Sequence, residues 1–276
     1  MLTDYHVHLR PDEPDTPAAR WFTPGNADRY RTVASERGID ELGVAEHVYR
    51  FSQALDISEH PFWRPWATDD LDDYCAFVRE ETDLRLGIEA DFVPGREDRM
   101  ANLLEARDWD YVVGSVHLVS DMAVDLDGEW DIWRRGESAE RVWKRYFEWV
   151  AEAARTGLFD IMAHPDLIKV HGDARPRPEG DLRRYYEPAV EAFADAGVAV
   201  EVSTAGLRKP VAELYPSRPF LELVVEAGCP IALSSDAHVP DQLGFRYEDA
   251  VQALADVGVT ELCVFEGRRR RLEPIG

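Results

Sequence analysis

Six of the eight histidines in this 276-residue chain, His6, His8, His47, His117, His164 and His238, stand at the end of a short apolar run or a few residues beyond one. Imidazole is the commonest side-chain ligand for divalent transition metals, so one residue type recurring at one kind of position is a chemical signal. The pair His6-Val7-His8 is weak by itself, because a histidine that only satisfies its hydrogen bonds in a core is the ordinary outcome. In an extended strand, however, side chains alternate, and residues 6 and 8 must face the same way. Two imidazoles aimed at one point suit a metal ion. Carboxylates complete the set: Glu89 ends the run Leu84 to Glu89, and Asp236 lies two residues before His238. A carboxylate can bridge two cations where a neutral imidazole cannot, so one glutamate among histidines reads as the centre of a cluster. Asp91 reads as a further ligand, as a hydrogen-bond acceptor behind one, or as a loop acid. His164 is followed by Pro165, which ends a strand and fixes the loop after it. His60 and His171 fall inside loops, where surface or substrate-contact roles are expected.

These residues need a scaffold that brings many strand ends together. Short runs rich in Val, Ile and Leu at 2–7, 41–45, 84–89, 110–115, 158–163, 197–202 and 229–234 predict strands, with 260–265 as a possible extra one. Amphipathic stretches near 26–37, 69–82, 95–107, 137–156, 180–196, 217–227 and 245–257 predict the helices between them. The alternation is that of βα units on a parallel sheet, and at least seven are present. Asn26 is placed to cap the first helix and Gly38 to end it, while Gly157, Gly197, Gly228 and Gly258 punctuate later helix-to-strand turns. Longer stretches at 46–68, 116–136, 164–179 and 203–216 follow the strands, where parallel α/β folds carry their sites. No linker or low-complexity tract divides the chain, so a single domain over 1–276 is expected. The run Arg268 to Arg271 reads as a solvated tail or an interface patch.

Composition narrows the function classes. With 45% hydrophobic residues the chain can fill one large core, and disorder is not expected. Its 54 acidic residues against 31 basic ones give a formal charge of −23, a field that repels polyphosphate and argues against nucleic-acid or anionic-membrane partners. Three widely spaced cysteines, Cys75, Cys229 and Cys263, support neither a disulfide framework nor a cysteine zinc site, and a reducing cytoplasm fits best. The first residues lack a basic segment and a long apolar segment, and no stretch has the roughly 18 apolar residues of a membrane helix. A soluble, unprocessed protein is expected. Its oligomeric state is left open.

The series Asp4-Tyr5-His6-Val7-His8, Ala45-Glu46-His47, Gly87-Ile88-Glu89-Ala90-Asp91, Ser115-Val116-His117, Ala163-His164-Pro165-Asp166 and Ser235-Asp236-Ala237-His238 resembles the polymerase and histidinol phosphatase (PHP) superfamily, in order and over almost the whole chain. Glu201 to Lys209, followed by Tyr215-Pro216, resembles its histidinol-phosphatase branch. The resemblance implies a distorted (β/α)7 barrel with two to three divalent ions (Zn, Mn or Fe) at the C-terminal mouth of the strands. Carried over by position, His6, His8, Glu89 and Asp236 would hold one ion, and Glu89, His117 and His164 a second. His47 and His238 would hold a third. Many members add a histidine shortly after the His-x-His pair, but here the segment is Leu9-Arg10-Pro11-Asp12-Glu13. Asp12, or failing it Glu13, must then serve as the remaining ligand.

The implied activity is hydrolysis of L-histidinol phosphate in histidine biosynthesis, with another small phosphomonoester or a nucleotide as the alternative. Glu89, His117, Asp236 and His238 are expected to carry catalysis. Lysine is rare, at Lys144, Lys169 and Lys209 only. Lys169 and Arg208 are therefore candidates for binding the phosphate, weighed evenly against surface salt bridges. Trp130, Trp133 and Phe245 are candidate walls for an imidazole pocket. A metal-dependent amidohydrolase would also use histidine-rich strand ends but commonly wants a carbamylated lysine on a strand, and no lysine lies on a predicted one. Structural metals in a polymerase-attached module fit a free-standing acidic chain poorly.

Overall fold

The computed structural model describes residues 1–13 and 16–276. Eleven strands run in the order β1 (Thr3–Asp4), β2 (Glu41–His47), β3 (Arg85–Asp91), β4 (Tyr111–Ser115), β5 (Leu118–Val119), β6 (Met122–Ala123), β7 (Ile161–Met162), β8 (Ala199–Ser203), β9 (Ile231–Ser234), β10 (Glu261–Glu266) and β11 (Arg269–Pro274). Seven of them, β1-β2-β3-β4-β7-β8-β9, form one parallel sheet. The sheet curls until its first and last members meet. Val7 bridges Ala237, the His8 amide donates to the Ala237 carbonyl at 2.8 Å, and the Asp4 carboxylate accepts from the Ser235 amide at 3.0 Å. The expected seven-unit distorted barrel is the observed fold.

The helices fall where apolar periodicity predicts them, at Pro24–Glu36, Leu71–Glu81, Glu97–Glu105, Ala139–Arg155, Arg183–Ala196, Arg218–Glu226 and Tyr247–Asp256. The first starts earlier than Asn26 implies. Thr23 is its cap, accepting from the Asn26 amide, because Pro24 presets the first helical position. Asn26 lies inside the helix instead, its side-chain amide donating to the carbonyls of Leu9 and Trp21 at 2.9 Å each. It thereby fastens the chain just beyond the His-x-His pair. Among the described residues no helix is long and apolar enough to cross a membrane.

The candidate strand at 260–265 is real but is not an eighth stave. Strands β10 and β11 make an antiparallel hairpin across the end of the barrel opposite the histidines. The Phe265 amide donates to the Tyr5 hydroxyl, Gly267 and Arg268 bond Asp110 just ahead of β4, and Arg268 pairs with Asp160 just ahead of β7. The arginine run is therefore a turn and a strand rather than a tail: Arg268 pairs with Asp160, while Arg269, Arg270 and Arg271 are exposed, in keeping with a solvated run.

Inside the barrel Tyr5 packs edge-to-face with both Tyr111 and Phe265, whose rings are tilted against each other, with centroids 4.9 to 6.2 Å apart. Room for Tyr111 comes from two glycines: a Cβ on Gly43 or Gly87 would overlap its ring. Because strand side chains alternate, Gly87 and Glu89 share the inward face, so the residue that admits the aromatic floor also sets the direction of the glutamate above it. Gly87→Ala is expected to cost about 1–3 kcal/mol by overpacking. Denaturant midpoints should show this loss, with partial recovery in Gly87→Ala/Tyr111→Leu. An unchanged midpoint in the single variant would mean that Tyr111 does not depend on that space.

Candidate metal centre

Register brings the strand ends level. His47 is the direct neighbour of Glu89 across β2 and β3, and Glu89 is the neighbour of Val113 across β3 and β4. Glu89 is fully buried, and neither of its oxygens has a hydrogen-bond partner. Each faces a different set of imidazoles. Oε2 lies 3.3 Å from His6 Nε2 and 3.6 Å from His8 Nε2, and it touches His47 Nδ1. Oε1 lies 3.3 Å from both His117 Nε2 and His164 Nε2. Asp236 Oδ1 stands 3.8 Å from His6 Nε2 and 3.5 Å from His8 Nε2. His47 Nε2 and His238 Nε2 approach to 3.4 Å, with the His8 ring stacked on both at 4.2 Å.

These spacings are those of ligand atoms around a shared ion. Two atoms bonded at about 2.0–2.1 Å to a tetrahedral zinc stand about 3.3–3.4 Å apart. Four overlapping groups can each close on a cation: His6, His8 and Asp236; His6, Glu89 and His164; His47, Glu89 and His117; and His8, His47 and His238. The chain thus fits the metal centre that its fold family implies. Unpaired nitrogens on His6, His8 and His47, and both unpaired oxygens of Glu89, would otherwise be buried polar atoms without partners.

Behind the ligand atoms lies a layer of buried acids. Glu201 Oε1 takes His6 Nδ1 at 2.7 Å and the Ser234 hydroxyl at 2.5 Å, while its Oε2 accepts from the His164 amide at 2.5 Å. Asp91 Oδ1 holds His117 Nδ1 at 2.8 Å. A proton on Nδ1 leaves the Nε2 lone pair pointing at Glu89, so these acids choose the tautomer a ligand needs. Of the three readings open for Asp91, ligand, acceptor behind a ligand and loop acid, the structure favours the acceptor. Glu46 accepts from the amides of Leu9 and Arg10 and pairs with the fully buried Arg50 at 2.5 Å, which orders the turn beside His8. Burial pushes the Glu46 carboxyl up, but Arg50 and His8 outweigh it and hold the group at about 2.

Charge balance around the cluster is tight. Burial alone would raise Glu89, yet His47, His6 and His117 keep it well below the ordinary carboxylate range. Burial opposes charging of His117, but Glu89 and Asp91 draw its pKa up to about 10. Burial and the neighbouring His8 push His238 well below its usual value. Protons and metal ions compete for these same lone pairs.

The cluster forms the floor of a cavity of about 390 Å³. Asp12 lines it, and the carboxylate is anchored by Arg50 Nη2 at 3.2 Å. Glu13, the other candidate, is exposed and turns its carbonyl to the Thr16 hydroxyl. Lys169 is not brought to the opening. Its ammonium is 3% exposed and is used by Asp166 and Glu213 at 3.0 Å and the Leu214 carbonyl at 2.7 Å, which corrects the expectation drawn from its position after His164. Arg208 reaches the carbonyls of Ser235 and Asp236 with Nη2, leaving Nη1 without a partner. Trp130 packs on His60 and Trp133 against the core, so neither walls the cavity, and Phe245 lies under the Arg208 guanidinium. The aromatic wall is Tyr49, Phe62, Trp66 and Tyr215, and His171 joins the lining. Tyr49, Phe62 and Trp66 come from the long stretch after β2, whose aromatic density was the available signal.

Residues 24–205 match the family model described as PHP domain. The chain belongs to the PHP domain family. It is 34% identical to a Deinococcus radiodurans protein named probable histidinol-phosphatase, covering 99% of each chain. A Schizosaccharomyces pombe protein of the same name is 27% identical over 68% of this chain and 64% of its own. Among solved structures, the histidinol phosphate phosphatase of Lactococcus lactis, complexed with zinc, L-histidinol and phosphate, superimposes with a TM-score of 0.70 at 19% identity, covering 98% of both chains. A Listeria monocytogenes chain gives 0.72 at 19% identity, covering 90% of this chain and 99% of that one. The shared architecture is the PHP barrel.

Glu201 is the residue that sequence reasoning left without a role. Glu201→Gln keeps the shape but removes the charge behind His6 and His164. Zinc affinity, read by competition with a chromophoric chelator, is expected to fall roughly ten- to hundredfold while the fold is retained. Unchanged affinity would mean that Glu201 serves packing only.

Proposed function

We propose that this protein is a metal-dependent phosphomonoesterase that hydrolyses L-histidinol phosphate to L-histidinol and phosphate. The observation that carries the reaction class is Glu89, whose two buried oxygens face separate sets of imidazoles as a bridging carboxylate must. Full-length kinship with proteins named for this activity carries the substrate. Two to three ions are assigned: one with His6, His8, Glu89 and Asp236, one with Glu89, His117 and His164, and a third with His47, His238 and Asp12. Zinc is the first choice, with manganese or iron as alternatives that the oxygen of Asp12 would suit.

Phosphate monoesters hydrolyse extremely slowly unaided, and bound divalent ions supply both an activated water and charge neutralisation at phosphorus. The chain's own residues set the stage for that chemistry. Asp12, His47, His117, His164, Asp236 and His238 all line the cavity, and of the proposed ligands among them His117, Asp236 and His238 have side chains 11, 16 and 21% exposed, within reach of substrate. Arg208 Nη1 is assigned to a phosphoryl oxygen, its partner nitrogen being fixed on the strand end that carries Asp236. Asp125, which also lines the cavity, suits the ammonium or imidazole of the substrate, and Tyr49, Phe62 and Trp66 give its ring an apolar wall. An amidohydrolase reading loses support, since Lys144 lies in a helix, Lys169 is held by acids and Lys209 sits at the rim. The three thiols are free, as suits a reducing cytoplasm.

Purified zinc- or manganese-loaded protein should release phosphate from histidinol phosphate in preference to nucleotides, sugar phosphates and amides, and chelation should abolish the release. A preference for another ester on that panel would replace the substrate. Glu89→Gln should lose both metal stoichiometry and turnover, because a neutral amide does not balance two cations. Full metal content with most of the activity retained would remove the bridge. Arg208→Ala should keep its metal while kcat/KM falls roughly ten- to hundredfold, the worth of a charge-assisted contact. An unchanged kcat/KM would return Arg208 to a structural role.

A further inference from the structure

The metal cluster does not account for Tyr215. Its side chain is 1% exposed, lines the cavity and meets the His164 ring edge-on at 6.3 Å. Its hydroxyl is buried and has no hydrogen-bond partner. A phenol that only packed would be served as well by phenylalanine, and an unpaired buried hydroxyl is a cost that calls for a partner.

The surrounding structure is spent on holding this one ring. The Tyr215 amide and carbonyl both pair with Ser203 at the end of β8, at 3.0 and 2.7 Å. A Cβ on Gly206 would collide with the Glu213 carbonyl oxygen, so glycine lets the chain just ahead of Tyr215 pass close by, and the ring itself would stand 3.1 Å from that Cβ. Lys169 Nζ stands 5.4 Å from the ring centroid, paired with Asp166 and Glu213 and bonded to the Leu214 carbonyl. Asp166 in turn accepts from the Ser217 amide at 2.8 Å. The chain is thus fastened on both sides of Tyr215, at 213–214 and at 217, by one buried lysine and one buried aspartate that come from the stretch after His164. This is the arrangement expected when a side chain must be held in one orientation beside a reacting group.

We propose that Tyr215 binds substrate, its hydroxyl donating a hydrogen bond to a nonbridging oxygen of the phosphoryl group, and that Lys169 is the positioning residue that aims it. The proposal rests on reading the site as a phosphomonoesterase. At neutral pH a phenol is a donor with its proton in place, and a phosphoryl oxygen is a strong acceptor. The lysine that sequence position assigned to the phosphate acts one step behind it.

The test is titration of the zinc-loaded protein with inorganic phosphate, by calorimetry and by competitive inhibition, in the wild type and in Tyr215→Phe. That variant removes one oxygen that has no partner in the protein. It should keep its metal content and melting temperature while phosphate binds roughly ten- to hundredfold more weakly, the range for a hydrogen bond to a charged acceptor. Unchanged phosphate affinity would overturn the proposal, as would a parallel loss of zinc, which would place the hydroxyl in the service of the cluster. Lys169→Gln should weaken phosphate binding when Tyr215 is present and have no further effect in the Tyr215→Phe background. Equal effects in both backgrounds would deny Lys169 the positioning role. If the wild type releases no phosphate from histidinol phosphate, the substrate assignment fails, yet the orthophosphate titration still decides the tyrosine.

Discussion

The rest of the site depends on one buried carboxylate. Glu89 sits at the top of β3 with both oxygens shielded from water and unpaired by any donor of the protein, inside a ring of five imidazoles. Removing a charge from water costs several kcal/mol even after relaxation, and a protein repays that only where counter-charge is supplied in good geometry. Neutral imidazoles provide lone pairs, which an anion does not want. Cations held between Glu89 and the histidines would satisfy both. The same constraint explains the architecture, because only a parallel barrel brings the ends of separate strands within about one ligand-to-ligand distance of a common centre.

The layers below and behind this carboxylate keep it there. Below, Tyr111 fills the space that Gly43 and Gly87 vacate, and the β10–β11 hairpin seals the far end of the barrel with Phe265 against Tyr5. A floor of interlocked rings prevents the strand ends from collapsing inward, so the polar cluster is not asked to hold its own cavity open. Behind, Glu201 fixes His6 and the His164 backbone at once, tying strands on opposite sides of the closure to a single acid. Arg50, itself fully buried, joins Glu46 to Asp12 and to the carbonyls of Arg10 and Pro11. Asp12, the acid proposed as the remaining ligand, is thereby braced by a buried arginine.

What could be read from the sequence follows from the range over which each signal acts. Strand ends, helix faces and the same-face pairing of residues 6 and 8 depend on neighbours two to four positions away, and six histidines at strand ends therefore pointed to the right mouth of the right barrel. Lys169 misled because two of its three partners, Glu213 and Leu214, lie more than forty residues on, and Asp166 three residues back does not by itself distinguish a neutralised buried lysine from one that awaits an anion. Asn26 misled more narrowly, since Pro24 moved the helix start and freed the asparagine for a tertiary role. Glu201 lay within a recognised stretch but reads as an ordinary inward strand acid until His6, 195 residues away, is placed against it. The expected aromatic wall was right in kind and wrong in residue: Trp130 and Trp133 belong to the loop beside the hairpin β5–β6, while the residues that line the cavity come from the stretch after β2.

A last tension lies in electrostatics, for a chain with 54 acidic and 31 basic residues is assigned an anionic substrate. The two facts act at different distances. At physiological ionic strength the Debye length is about 8 Å, so most of the acidic surface is screened from a ligand already inside the cavity. Cations held by Glu89 and Asp236 would act at contact, in surroundings where screening by water and salt is weakest. Arg208, half-buried beside the Asp236 strand end, and Lys209 on the cavity lining add basic charge close to the cluster. The overall charge then repels polyanions, which present their phosphates to the whole surface. A monoester small enough to enter would instead meet the groups of the cluster at contact range, inside the distance over which that surface is screened.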